Sequence, residues 1–104
     1  MFYYNVTCKI EPSIKNQWLD WMQTVHIPEV LATNCFIDAK MMLLIDPVLE
    51  EEGPTYAIQY TYKTAKDFET YLANFAPALK QKTLVKFGDS FLAFRSHLQI
   101  LHQF

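Results

Sequence analysis

Three stretches of this chain alternate apolar and polar side chains with a period of two. From Phe2 to Ile10 the even positions are Phe2, Tyr4, Val6, Cys8 and Ile10, with Tyr3, Asn5, Thr7 and Lys9 between them. From Tyr56 to Lys63, Tyr56, Ile58, Tyr60 and Tyr62 alternate with Ala57, Gln59, Thr61 and Lys63. From Phe91 to Leu101, Leu92, Phe94, Ser96, Leu98 and Ile100 alternate with Phe91, Ala93, Arg95, His97, Gln99 and Leu101. Such alternation predicts strands, because successive side chains of a strand point to opposite faces of a sheet. The apolar rows are expected beneath a layer of helices, which leaves the other face for water or a second protein.

Between these strands the period changes. Ser13 is a candidate helix cap after Pro12, and Ile14, Trp18, Trp21, Met22 and Val25 then recur at helical spacing. His26-Ile27-Pro28 is expected to break this helix, since the residue before a proline is steered away from helical geometry, and Pro28 to Ala32 to start a second short turn. Thr33-Asn34 reads as a turn into a strand over Phe36–Ile45. Asp46-Pro47 and Gly53-Pro54 bracket a connection whose acidic run, Glu50, Glu51 and Glu52, reads as a solvated loop tip. Thr64 caps a helix carrying Phe68, Tyr71, Leu72 and Phe75; Ala76-Pro77 kinks or restarts it, and it continues through Leu79, Leu84 and Phe87 to Gly88. The order strand, helix, strand, strand, helix, strand predicts an α+β fold of ferredoxin-like βαββαβ plan. Its four-stranded antiparallel sheet is covered by helices on one face, with the first and third strands central.

At 104 residues the chain is read as a single domain, 1–104, small enough that joining a partner is a natural source of stability. The net charge of −2 gives no reason to bind a polyanion, so no nucleic-acid partner is expected. No apolar run approaches the ~20 residues that span a bilayer, and the start of the chain lacks the pattern of a signal peptide. No membrane partner and a cytoplasmic location are the expectations. Cys8 and Cys35 have neither metal-site nor redox spacing and read as reduced structural thiols, and no metal or other cofactor is called for. Asn5-Val6-Thr7 matches a glycosylation acceptor but lies within a strand, and is read as coincidence.

Tyr4-Asn5-Val6-Thr7, Trp18-x-x-Trp21-Met22, His26-Ile27-Pro28-Glu29-Val30-Leu31-Ala32-Thr33 and Phe87-Gly88 followed by Phe91-x-Ala93-Phe94-Arg95 resemble a bacterial family of small domains of unknown function. That family is similar in pattern to the dimeric α+β barrel superfamily, and the resemblance spans essentially the whole chain. Asn34 stands where glycine is expected, a small departure because asparagine also tolerates left-handed turn geometry. The resemblance implies a homodimer in which the uncovered faces of two sheets meet as a closed barrel. In many relatives it also implies a small-molecule cavity between sheet and helices, serving in some a cofactor-independent monooxygenase, isomerase or cyclase and in others binding alone. Fold does not choose among these.

The candidate chemistry centres on His26, whose imidazole can exchange a proton near neutral pH from a helix break facing a pocket. Its structural reading is a hydrogen bond to a carbonyl left unpaired by Pro28. Glu29 either joins it or simply favours the start of the next turn. Tyr4, Tyr56, Tyr60 and Tyr62 with Trp18, Trp21 and His26 either line an aromatic pocket or fill the core. Ser96 removes bulk from the last apolar row and favours space there. Tyr4, Trp18, Trp21, His26, Glu29 and Tyr60 are thus the candidate ligand-binding residues. On the opposite face Asn5, Thr7, Gln59, Thr61, Arg95, His97 and Gln99 are expected as a polar patch. Of these, Asn5, Gln59, Arg95 and His97 are the candidate interface, and Arg95 with His97 is alternatively an anion site. An RNA-recognition domain shares the strand order, but its aromatic motif and its charge are missing here. Three functions stay open: a homodimeric small-molecule-binding domain, a cofactor-independent enzyme using His26, and a structural or interaction module without ligand.

Overall fold

The computed structural model describes residues 1–48 and 53–104. The acidic run Glu50 to Glu52, read above as a loop tip, lies outside the described residues.

Four strands, β1 (Phe2–Ile10), β2 (Asp38–Leu43), β3 (Thr55–Tyr62) and β4 (Phe91–Gln99), form one antiparallel sheet in the order β2-β3-β1-β4. The expected α+β plan with the first and third strands central is therefore observed. β2 is shorter than its apolar run suggested, although the Ile37 amide donates to the Thr61 carbonyl at 2.7 Å and the Leu44 amide to that of Thr55 at 2.9 Å, extending the ladder. Facing residues of an antiparallel pair share a side of the sheet. Tyr4 opposes Tyr60, Val6 opposes Ile58 and Cys8 opposes Tyr56, so the apolar rows of β1 and β3 coincide beneath the helices. Ile10, Tyr56, Ile58, Tyr60 and Tyr62 are buried there with Trp18, Val30, Phe68 and Tyr71.

β4 reverses the expectation. Arg95 opposes Val6 and His97 opposes Tyr4, so both lie on the helix-covered side, not in the polar patch with Asn5 and Gln59. The strand's more apolar row points outward: Leu92, Phe94 and Leu98 are 72 %, 70 % and 50 % exposed. Ser96 opposes Asn5 on that open face, so it makes no room beneath the helices. The cause is register. Cys8 pairs with Ala93 and Ile10 with Phe91, which commits the odd positions of β4 to the covered side whatever their polarity.

A 3-10 turn at Pro12–Ile14 leads into α1 (Lys15–Trp21). The expected break at Pro28 is absent. α1 passes through a π-helical turn, Met22–His26, directly into α2 (Ile27–Ala32), with His26 and Ile27 both in right-handed helical geometry. Pro28 has no amide hydrogen to give to the preceding turn. Widening that turn, so that the Ile27 amide reaches the Met22 carbonyl five residues back, accommodates the proline without ending the helix. Asn34 follows with φ 63°, the left-handed conformation that asparagine tolerates.

The second helical layer begins as its sequence suggests. The Asp67 amide donates to the Thr64 hydroxyl at 3.2 Å, capping α3 (Ala65–Asn74). α4 (Ala76–Phe87) restarts with Pro77 in its first turn and ends at Gly88, φ 59°. Phe68, Tyr71, Leu79 and Phe87 are buried, whereas Leu72 and Leu84 of the same apolar series are exposed.

Candidate functional site

A cavity of about 420 Å³ lies between the sheet and the helices. The sheet supplies Tyr4, Val6, Cys8, Ile58, Tyr60, Ala93 and Arg95; the first helix supplies Trp18, Met22 and His26; α3 and α4 supply Tyr71, Leu79 and Thr83. Its floor is apolar because the covered rows of β1 and β3 meet there, and its polar groups come from a few positions around that floor.

His26 is the last residue of the π-turn. In a regular α-helix, residues five apart are about 1.4 turns apart and face different ways. The widened turn instead stacks Trp21 on His26, with ring centroids 5.1 Å apart and planes 26° from parallel. Trp21 is held from its other side by an edge-on contact with Phe87 at 5.5 Å. The imidazole is thereby fixed at the cavity wall, and its Nδ1 is buried with no hydrogen-bond partner among the described residues. The expected bond from this ring to a carbonyl freed by Pro28 is not found at Nδ1. Burial lowers the His26 pKa from 6.5 to about 4, Glu29 opposing the shift and Arg95 adding to it. The ring is neutral at physiological pH.

Burial also holds the phenols and the thiol of the cavity in their uncharged forms. Burial raises the phenols of Tyr4 and Tyr60, and raises Tyr71 to about 12. Burial likewise pushes the Cys8 thiol up to about 11, which makes it a poor nucleophile. On Tyr4, Cys8 and Tyr71 the Arg95 guanidinium acts in the opposite sense, favouring negative charge.

Of the candidate ligand residues, Tyr4, Trp18, His26 and Tyr60 come together around this cavity. Trp21 does not line it and acts through its stack on His26. Glu29 is not among the lining residues either; its carboxylate accepts from the Lys82 ammonium at 3.1 and 3.2 Å and ties α2 to α4. Tyr56 packs on Trp18 at 5.2 Å, and Tyr62 joins Phe2, Phe36, Phe68 and His97 in an aromatic cluster, so these two phenols fill core. His97 belongs to that cluster: its Nδ1 is 3.1 Å from the Tyr62 hydroxyl, and its ring stands edge-on to Phe68 at 4.1 Å. Asn5 and Gln59 oppose each other on the open face. Sequence reasoning put Arg95 on the wrong side and did not assign Tyr71, Cys8 or Thr83 to the site. Among the described residues, no group of three or more His, Cys, Asp or Glu side chains is placed to hold a metal ion. Nor, among them, is any helix long and apolar enough to cross a membrane.

The strand order and helix placement define a ferredoxin-like α+β domain, and solved structures agree. A dimeric ferredoxin-like protein from an uncultured marine organism superposes with a TM-score of 0.75 at 15 % identity, covering 99 % of this chain and 97 % of that one. A second dimeric ferredoxin-like protein from an uncultured marine organism gives 0.69 at 16 %, covering 100 % and 98 %. An ethyl tert-butyl ether d (ethd) family protein from Bacillus halodurans gives 0.69 at 15 %, covering 97 % and 100 %. At these identities the likeness is one of fold. The sequence itself, over residues 1–101, matches the model of the Domain of unknown function (DUF4286) family, and the chain belongs to that family. A comparison with curated proteins found no match.

Proposed function

We propose that this protein is a homodimeric small-molecule-binding domain whose ligand occupies the cavity between sheet and helices. The observation that carries the proposal is the cavity itself. At about 420 Å³ it exceeds the ~300 Å³ at which ligand sites begin, and it combines an apolar floor with a few convergent polar groups. A module that served assembly alone would gain nothing from such a space, because tight packing would stabilise it more. Dimerisation is supported by the outward row Leu92, Phe94 and Leu98 and by the two fold relatives described as dimeric. Free, buried Cys8 and Cys35 fit a reducing, cytoplasmic setting.

A second reading, a cofactor-independent enzyme with His26 as proton acceptor, is favoured by the place of His26 among the residues lining the cavity. A pKa of about 4 makes the ring a weak base, so binding is the better-supported reading. Screening small aromatic compounds by ligand-observed NMR tests the binding proposal. Hits should compete for one site and be lost in Ala93→Phe, which fills the cavity from a half-buried position of its lining. A screen whose hits all survive that substitution would place binding elsewhere. Sedimentation velocity should show a dimer at micromolar concentration, and a monomer there would remove the dimeric part.

A further inference from the structure

We infer that the ligand of this cavity is an organic monoanion of carboxylate type, with its charge on Arg95 and its apolar body over Trp18, Met22 and Ile58. The inference rests on the binding proposal above and specifies the chemistry of its ligand.

Arg95 sits on the covered side because β4 pairs in register with β1, which places it opposite Val6 in the cavity wall. Arg95 is exposed in that wall, and among the described residues no carboxylate makes an ion pair with it. The ionisable residues of opposite sign around the cavity are Lys80 and Asp89, which offset each other. The site therefore carries a net positive charge in a chain whose total charge is −2. The Arg95 field reaches Tyr4, Cys8, His26 and Tyr71, the titratable groups of three different walls. An anion placed among them is stabilised by the same field. None of those groups supplies the charge instead, because burial keeps each of them neutral.

The fork of a guanidinium matches the two oxygens of a carboxylate, so the pairing is bidentate and charge-assisted. The result is a site for a compact molecule with a charged end and an apolar body.

The test compares 2-naphthoate with 2-naphthamide, which share shape but differ in charge, by quenching of Trp18 fluorescence in a Trp21→Phe background. Trp18 is buried in the cavity wall, whereas Trp21 lies outside it. Naphthoate should bind at least about tenfold more tightly than naphthamide. Arg95→Gln should bring the two to equality, and Arg95→Lys should keep part of the preference. Arg95 is exposed at an edge strand, so these variants keep the fold. Equal affinity in the parent protein, or a preference that survives Arg95→Gln, overturns the anion inference and leaves the cavity as a binding site. Failure of both probes to quench Trp18 overturns the anion inference, while the ligand screen with Ala93→Phe decides the binding proposal separately.

Discussion

β3 and β4 flank the same central strand, yet they turn their more apolar rows in opposite directions. In β3 the row Tyr56, Ile58, Tyr60 and Tyr62 lies under the helices, with Ile58 wholly buried. In β4 the row Leu92, Phe94 and Leu98 faces away from them, and the positions under the helices are Phe91, Ala93, Arg95 and His97. Alternation thus reports that a strand separates two environments, and pairing decides which environment receives which row. At this edge both environments have a use for their row. The outer one suits the subunit contact proposed above, and the inner one brings a cation and a histidine to the helix-covered side.

The sharpest way to break the comparison is to remove one residue from each row. Ile58→Ala should cost about 2–5 kcal/mol of protomer stability at any protein concentration, read from urea denaturation, because a fully enclosed side chain leaves a void. Phe94→Glu should leave the protomer folded and weaken self-association on the order of a hundredfold, read by sedimentation. If Phe94→Glu instead unfolded the protomer, the outward row would belong to the core after all.

A smaller effect separates the inner face from solvent. The folded pKa of His26 is about 4 against an ordinary 6.5, so between those values the unfolded chain takes up a proton that the folded one refuses. The full stability contributed by this group is present above pH 6.5 and declines as the pH falls toward 4. The loss should amount to about 2 kcal/mol after allowing for the ring's partial contact with water. Urea titrations at pH 7 and pH 4.5 measure it, and the difference between the two should shrink in His26→Phe.

Much of this architecture was legible in the chain. Periodicity placed β1 and β3, Thr64 marked the start of α3, Gly88 marked the end of α4, and Asn34 held its turn. Tyr4, Trp18, His26 and Tyr60 were readable as neighbours because each lies in a strongly apolar series that must face one core. Arg95 was not, because Phe91 and Ala93 leave both rows of β4 partly apolar and single-strand patterning then has no preferred side. A signal was nevertheless available: a sheet face that meets a second subunit needs apolar residues, and Asn5, Thr7, Gln59 and Thr61 supply none. The continuity of the first helix was hidden for a different reason. Proline predicts a missing hydrogen bond, but a wider turn and a chain break are both ways to absorb it, and the choice depends on the packing of Trp21 and His26.

That wider turn adds one residue to the helix, which offsets the two halves by roughly 100° relative to an uninterrupted spiral. Upstream, the rotation directs Trp18 and Met22 at the cavity; downstream, it directs Glu29 at Lys82. The segment is therefore a phase splice, through which one helix serves both a cavity wall and a brace. Excising a single residue from it would realign the halves and force the molecule to give up one of those duties.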